Sequence, residues 1–189
     1  MNSIMDIFKE AYDCRNILLD EELISSVEKA TKVLIETLKN GNKILVAGNG
    51  GSSADSQHLV GELVGRFLKE RKALPGIALT TNTSILTAIG NDYSFERVFS
   101  RQLEALGNRG DALIVISTSG NAENLISAVS TAKSLSIKTV GLLGHNGGKL
   151  GNLVDIPIIV RLDSTPRIQE IHIIIIHTIC QLIESALFG

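Results

Sequence analysis

The amino-acid sequence predicts an α/β protein built on a five-stranded, parallel, doubly wound sheet with two additional helices at the N-terminus. Short apolar runs rich in β-branched residues alternate with segments of helical periodicity, which is typical of strands joined by crossover helices. A helical pattern of about 40 residues precedes the first such run, and helices with no strand before them cannot be crossovers. These first helices are therefore additions to the sheet.

The N-terminal segment, residues 1–40, is predicted to form two helices that divide near Leu19-Asp20. In the second helix Ile24, Val27 and Leu34 recur at helical spacing and define one apolar face. That face fits packing on the sheet and equally fits pairing with another subunit. The sequence leaves both arrangements open.

The first predicted strand leads into a turn with the features of a ligand site. Residues 43–47 form a short apolar run that favours a strand, and Gly48-Asn49-Gly50-Gly51 follows as a glycine turn. Ser52-Ser53-Ala54-Asp55 fits a capping box, which predicts that a helix opens there. A helix N-terminus favours an anion because its first N–H groups are unpaired. Within this helix His58 and Glu62 are four residues apart and share one face.

The glycine turn matches neither of two common nucleotide-binding motifs. A P-loop ends in Gly-Lys-Ser/Thr, and no lysine follows Gly51 before Lys69. A dinucleotide fingerprint needs a third glycine where Ser53 stands. It also needs an acidic residue about 20 residues further on, where Leu79-Thr80-Thr81-Asn82 has none. Hydroxyl groups at a helix N-terminus therefore favour a phosphate monoester over a dinucleotide.

Two predicted strands, residues 43–47 and 111–117, are each followed by a turn rich in Ser, Thr, Asn and Gly. Ligands of doubly wound sheets bind beyond the carboxyl ends of the strands, so we expect both turns to hold one phosphate. Simple N-capping of two helices would use the same residue types. The other predicted elements are strands at 76–79, 138–143 and 155–160, helices at 84–89, 95–106, 122–134 and from Thr165-Pro166 onward, a break at Gly90-Asn91-Asp92, and a glycine-rich segment at 144–151.

Length and composition limit the classes of function. The 189 residues suit a single domain, 1–189, whose sheet core is 41–189, and no linker marks a second domain. A net charge of −2 gives no reason to expect nucleic acid, and the apolar segment 171–183 is too short to span a membrane. Cys14 and Cys180 fit no metal or redox spacing, so a reducing, cytoplasmic compartment is expected.

Four motifs indicate the family that the chain resembles. In this order and spacing, GNGGSSADSQH, GNDYSFERVFSRQ, STSG and RIQEIH resemble the phosphoheptose isomerases of the sugar isomerase (SIS) domain superfamily, from about residue 41 to the end. The resemblance implies a flavodoxin-like sheet, a cytoplasmic homotetramer and one zinc ion per subunit. It also implies conversion of sedoheptulose 7-phosphate to D-glycero-D-manno-heptose 7-phosphate, the first step towards activated heptose for lipopolysaccharide or capsule.

The resemblance also assigns residues to roles. One position departs from the family pattern, because Ala122 stands where a serine is usual and Glu123 follows it. A hydroxyl is thereby lost near the phosphate, and a carboxylate that pointed inward there would be unfavourable. The residues implied to bind zinc are His58, Glu62, Gln169 and His177. The residues implied to bind the substrate are Asn49, Gly50, Gly51, Ser52, Glu62, Asn91, Asp92, Ser117, Thr118, Ser119 and Gln169.

Aldose–ketose isomerisation explains why these residue types occur together. The reaction moves a proton between adjacent carbons through an enediolate, so it needs a base, an acid–base partner and stabilisation of an oxyanion. Glu62 is the expected base, His177 is the expected partner, and zinc would polarise the carbonyl. A carboxylate that ligates zinc is a weaker base, so the main role of Glu62 stays open. His172 and His145 lack such support and are expected to be structural or solvated.

Two other functions fit parts of the pattern. Relatives of this family include a tetrameric, non-catalytic partner of the bacterial replication initiator, which keeps the phosphate turn but lacks equivalents of Glu62 and His177. Both residues are present here, which argues for catalysis. Isomerisation of another ketose phosphate is the second alternative, because the motifs do not define the sugar.

Overall fold

Five strands and eight α-helices form the computed structural model, which describes residues 3–189. Residues 1 and 2 of the predicted N-terminal segment lie outside this range. The strands are β1 Ile44–Gly48, β2 Gly76–Ala78, β3 Ala112–Ser117, β4 Lys138–Gly144 and β5 Ile156–Val160. The helices are α1 Ile4–Asp13, α2 Glu21–Lys39, α3 Gly51–Val64, α4 Thr83–Asp92, α5 Ser100–Leu106, α6 Glu123–Ser134, α7 Gly148–Leu153 and α8 Thr165–Phe188, with 3-10 helices at Cys14–Leu19 and Phe95–Arg97.

The strand order places a topological switch point between β1 and β3. The sheet runs β2-β1-β3-β4-β5 with all neighbouring strands parallel, which confirms the predicted flavodoxin-like, doubly wound sheet. From β1 the chain moves outward to β2 and then returns to the other side of β1 to form β3. Gly48 pairs with Ile116 near the ends of β1 and β3, so the turns after these strands lie side by side.

Both faces of the sheet are covered by helices, which explains why its strands are continuous apolar runs. Side chains alternate along a strand, so Val46 and Ile114 face one helical layer while Leu45 and Leu113 face the other. The first layer contains α2, α3 and α8, and the second contains α4 to α7. The helices that carry the predicted histidines and carboxylate, α3 and α8, therefore share one layer.

The two N-terminal helices are placed differently. Helix α2 buries Val27 and Leu34 in the core, in agreement with packing on the sheet. Helix α1 buries none of its described residues; Ile4 and Met5 are each 73% exposed and Phe8 is 68% exposed. An exposed apolar helix face of this kind is typical of a surface that binds another molecule. Subunit pairing through α1 therefore stays a prediction.

Helix α3 begins earlier than the sequence predicts. Its N-cap is Gly50, whose φ of 56° is a backbone conformation that glycine adopts readily, and its first residue is Gly51. The capping box predicted at Ser52 to Asp55 is therefore wrong, because Ser52 is already inside the helix and buried. Because glycine occupies the N-cap position, no side chain caps the first N–H groups of α3.

Other boundaries also differ from the prediction, and the predicted helix 95–106 is divided into a 3-10 helix at Phe95–Arg97 and α5 at Ser100–Leu106. Helix α4 continues through Gly90 to Asp92 instead of breaking, since an internal glycine costs a helix only about 1 kcal/mol. The glycine-rich segment 144–151 contains the start of α7, which is anchored by the buried Leu150. The sequence predicts Thr165 as the cap of α8 and Pro166 as its first residue, but the helix begins at Thr165, and its N-cap Ser164 forms no side-chain bond.

Helix α8 has 24 residues and extends well beyond the apolar segment 171–183. By length and composition it could cross a membrane, but the core helix of a soluble protein meets the same criteria. Ile171, Ile175 and Ile179 are buried in the same cluster as the sheet side chains. Within this fold α8 is a core helix.

Candidate active site

Two reciprocal hydrogen bonds join the turn after β1 to the start of α6. The side-chain amide of Asn49 donates to Oδ1 of Asn124, and the amide of Asn124 donates to Oδ1 of Asn49, both at 2.9 Å. Asn124 is buried in the first turn of α6. The two polar turns therefore converge. Asn124 could not be identified from the sequence, because an amide near the start of a predicted helix gives no signal of its own.

Neither of the helices that follow these turns has a side-chain cap. The N-cap of α3 is Gly50, that of α6 is Ala122, and no side-chain capping bond forms at either one. N-capping therefore does not explain why hydroxyl-bearing residues cluster here. The open N–H groups and the dipoles of both helices instead favour an anion such as a phosphate.

The hydroxyl groups of the second turn are arranged to donate. Ser117 Oγ accepts the N–H of Gly120 at 3.1 Å, and Ser119 Oγ accepts the N–H of Asn121 at 3.2 Å. A serine oxygen that accepts from the backbone keeps its own O–H available as a donor. Ser119 is exposed and Thr118 is half-buried, so an incoming ligand can reach this turn.

Glu123 forms an ion pair with a lysine. Its Oε1 lies 2.7 Å from Nζ of Lys149 in an exposed ion pair with α7. The backbone N–H of Lys149 also donates to Oδ1 of Asn121 at 3.0 Å, which ties α7 to the second turn. With Ala122 in place of the serine that is usual in the family, the N-cap of α6 has no hydroxyl. Glu123, which follows it, is paired with Lys149 at the surface.

Helices α3 and α8 run side by side in the same direction. The side-chain amide of Gln169 lies against Gly51, so closely that a β-carbon on Gly51 would overlap it. About two turns further along both helices, His58 meets His177. This packing places Gln169 beside the glycine turn, and any side chain at position 51 would displace its amide.

His58, Glu62 and His177 converge on this helix pair. Nε2 of His58 lies 2.9 Å from Nε2 of His177 and 3.1 Å from Oε1 of Glu62. Of two imidazole nitrogens in hydrogen-bond contact, one carries the shared proton and the other presents its lone pair. All three side chains are partly open to solvent, which leaves them accessible to a ligand.

The donor set of this cluster fits a divalent metal such as zinc. One ligand atom from each of His58, Glu62 and His177 lies within 4.8 Å of the other two. Two imidazoles and one carboxylate with an open position are a common catalytic zinc set. The side-chain amide of Gln169 contacts Gly51, which is seven residues and therefore about 10 Å from His58 along α3, so its part in metal binding stays a prediction.

Asp55 is an acidic residue on the same face of α3 that the motifs did not assign. It lies one turn from Gly51 and one turn from His58. Its Oδ2 is buried and has no hydrogen-bond partner within residues 3–189. Burial raises the pKa of the Asp55 carboxyl, and the nearby His58 opposes this in part. A carboxyl group with a raised pKa can donate a hydrogen bond as well as accept one.

Asn91 and Asp92 are not joined to this cluster within one chain. They lie in the last turn of α4, where the Asn91 amide donates to Oδ1 of Asp92 at 2.8 Å, and both side chains are exposed. Helix α4 starts beyond the carboxyl end of β2, and its 10 residues extend about 15 Å. Contact between these two residues and the sugar therefore stays a prediction.

Comparison with known proteins finds relatives along nearly the whole chain. A family model described as SIS domain matches residues 14–144. A phosphoheptose isomerase of Aliarcobacter butzleri is 59% identical over 167 residues, which are 88% of this chain and 88% of that protein. The solved structure of a phosphoheptose isomerase from Francisella tularensis aligns with a TM-score of 0.93 at 39% identity, covering 98% of this chain and 100% of the other. The solved structure of a phosphoheptose isomerase from Neisseria gonorrhoeae aligns with a TM-score of 0.91 at 41% identity, covering 96% of this chain and 97% of the other.

Proposed function

Because the chain belongs to the phosphoheptose isomerases of the SIS-domain family, we propose that it converts sedoheptulose 7-phosphate to D-glycero-D-manno-heptose 7-phosphate. The reaction is an aldose–ketose isomerisation through an enediolate. The observation that carries the proposal is the convergence of His58, Glu62 and His177 at separations of 2.9 and 3.1 Å, from two helices that meet beside the polar turns.

The phosphate of the substrate is proposed to bind between the two polar turns. The Asn49–Asn124 pair holds these turns together, and the uncapped starts of α3 and α6 offer N–H groups. A phosphate monoester carries close to two negative charges at neutral pH, so two helix dipoles directed at it are stabilising. The proposed phosphate ligands are Asn49, Gly50, Gly51, Ser52, Ser117, Thr118 and Ser119, with Gln169 beside Gly51.

The chemical step is proposed to use Glu62 and His177. The carboxylate of Glu62 takes the proton from C1 of the ketose and returns it to C2, and His177 moves a proton between the oxygens on these carbons. His177 suits this exchange because an imidazole has one nitrogen that can donate a proton and one that can accept it. General acid–base groups of this kind typically contribute about 10²–10⁴-fold to the rate.

Zinc is part of the proposal as a bound cofactor. The chain would hold it with His58, Glu62 and His177, and the family pattern implies Gln169 as the fourth ligand. When bound, zinc supplies a Lewis acid that polarises the substrate carbonyl. Glu62 is then both a ligand and the proposed base, so its strength as a base depends on how strongly the ion binds its carboxylate.

The proposal extends to a cytoplasmic homotetramer that supplies heptose for lipopolysaccharide or capsule. The exposed apolar residues of α1, such as Phe8, support assembly because a second copy would cover them. Asn91 and Asp92, which are exposed and unconnected to the cluster, are available to a neighbouring subunit's substrate. Cys14 and Cys180 are free thiols, which fits a reducing compartment.

The adaptor function is not favoured. Glu62 and His177 are present and adjacent to His58, and the relatives compared above are named as isomerases. An isomerase acting on another ketose phosphate would share the phosphate turns and the proton-transfer groups. A panel of ketose phosphates assayed under one set of conditions separates that alternative from the proposed substrate.

The decisive experiment measures conversion of sedoheptulose 7-phosphate in D₂O by NMR. Isomerisation through an enediolate is expected to place solvent deuterium at C2 of the product. Glu62→Gln is expected to lower the rate by at least about 100-fold without changing the circular dichroism spectrum. Glu36→Gln, at an exposed position of α2, is the matched control and should retain full activity. Absence of conversion by the wild type would refute the proposed function, and substantial turnover by Glu62→Gln would remove Glu62 as the base.

A further inference from the structure

A buried ion pair lies directly beyond the candidate active site along α3 and α8. Nε of Arg71 lies 2.9 Å from Oε1 of Glu184, and the two side chains are only 2% and 3% exposed. Glu184 follows His177 by seven residues, which places it two turns further on the same side of α8. Charged side chains are rarely buried to this extent unless they are paired with an opposite charge. The proposed reaction assigns neither residue a role.

The carboxylate of Glu184 organises the segment that follows α3. In addition to Arg71, it accepts the backbone N–H groups of Phe67 at 3.3 Å, Leu68 at 2.9 Å and Lys69 at 2.9 Å. Three consecutive peptide groups are thereby held to one point on α8. This segment, residues 65–71, is called the clamp segment below.

Arg71 closes the C-terminal end of α3. Its Nη2 donates to the carbonyl of Glu62 at 2.7 Å, and its Nη1 donates to the carbonyl of Leu63 at 2.9 Å. The last carbonyls of a helix have no partner within the helix, and a cation there also interacts favourably with the helix dipole. The planar guanidinium reaches both carbonyls and Glu184 at once, which a lysine cannot do. Arg71 therefore restrains the backbone of Glu62 itself.

The clamp segment also supports His177. The ring of Phe67 packs on the ring of His177 with centroids 5.6 Å apart, while the N–H of Phe67 is held by Glu184. One hydrogen-bonded network thus reaches the backbone of Glu62 on α3 and the ring of His177 on α8. It contacts both from outside the cluster, so it can set their separation without touching a ligand.

We propose that Arg71 and Glu184 are positioning residues that hold Glu62 and His177 at the separation needed for proton transfer and metal binding. This inference rests on the proposed function, in which both positioned residues act on the sugar. A displacement of about 1 Å in a catalytic group can cost about 100-fold in rate. The polar turns lie at the opposite end of α3, so loss of the clamp acts on kcat and on metal affinity while phosphate binding is kept.

The test compares Arg71→Lys with a matched control, Asp111→Asn. The control breaks a second ion pair, in which Nζ of Lys43 lies 2.6 Å from Oδ2 of the buried Asp111, at the amino ends of β1 and β3. We expect Arg71→Lys to lower kcat about 10- to 100-fold with KM changed less than about threefold. Zn²⁺ affinity, measured without substrate by competition with a chromogenic chelator, should fall about 10- to 100-fold. Asp111→Asn should lower the urea midpoint to a similar extent but leave kcat and Zn²⁺ affinity within about twofold.

Two further variants, Arg71→Ala and Phe67→Leu, test the positioning role by other means. Millimolar guanidinium should partly restore kcat to Arg71→Ala, because the ion can fill the vacated site, and should not affect Asp111→Asn. If the Arg71 variants do not fold, Phe67→Leu decides, since it alters the contact with His177 without breaking the ion pair. Unchanged kcat and Zn²⁺ affinity in folded Arg71→Lys, or in Phe67→Leu in that case, would overturn the inference. If the wild type does not isomerise sedoheptulose 7-phosphate but Arg71→Lys binds Zn²⁺ more weakly, the proposed function fails and the positioning role stands.

Discussion

Replacing His172 with leucine is expected to make the fold less sensitive to acid. His172 lies in α8, is 0% exposed, and neither ring nitrogen has a hydrogen-bond partner among the residues that the structure describes. Burial lowers the pKa of His172 from 6.5 to about 4, and the nearby backbone of Leu143 opposes this only in part. The folded protein therefore keeps the imidazole neutral at pH values where the unfolded chain protonates it.

The size of the effect follows from these two pKa values. Between pH 6.5 and about 4 the unfolded state binds more protons, so the free energy of unfolding decreases as the pH falls through this window. Each pKa unit corresponds to about 1.4 kcal/mol, so the loss reaches about 2 kcal/mol at pH 5 and about 3 kcal/mol near pH 4. Above pH 7 the imidazole is neutral in both states and the contribution disappears.

The assay is urea unfolding at pH 7.5 and at pH 5, with all proteins at one concentration so that any effect of association on stability is the same. Wild type is compared with His172→Leu and His172→Met, which both remove the titrating group but differ in shape. The wild type should lose about 2 kcal/mol more than either variant between the two pH values. Equal losses in all three proteins would refute the reasoning, because the imidazole would then titrate alike in both states.

Two further predictions concern the polar turns. Gly51→Ala places a β-carbon on the Gln169 amide and is expected to lower kcat/KM at least about 10-fold, since the Gln169 side chain, a predicted substrate ligand, must move away. Gly61→Ala is the control on the same helix, where no atom lies within 4 Å; it should keep wild-type rates and add up to about 1 kcal/mol of stability. Ala122→Ser restores a hydroxyl at the N-cap of α6 and should lower KM for the sugar phosphate and stabilise the protein by about 1 kcal/mol. Initial rates and thermal melts check both, and an unchanged KM in Ala122→Ser would remove this position from the phosphate site.

The sheet could be predicted because its strands are buried on both faces and therefore appear as short apolar runs. The run before Gly48 and the run ending at Ser117 are both of this kind. Helix starts were harder to predict, since Gly50 begins α3 through a positive φ and not through a capping side chain. Helix α7 was missed because glycine-rich sequence favours turns. In the folded protein the burial of Leu150 stabilises the helix.

The sequence by itself determined the α/β class, the two hydroxyl-rich turns and the family, because each depends on residues that are close together in the chain. It also placed His58 and Glu62 on one helix face through their spacing. Only the tertiary structure decided that His177, 119 residues after His58, meets them, that Gln169 lies at the glycine turn, and that Arg71 closes α3. These contacts depend on how α3 packs against α8, and the periodicity of either helix alone does not specify its partner or the register between them.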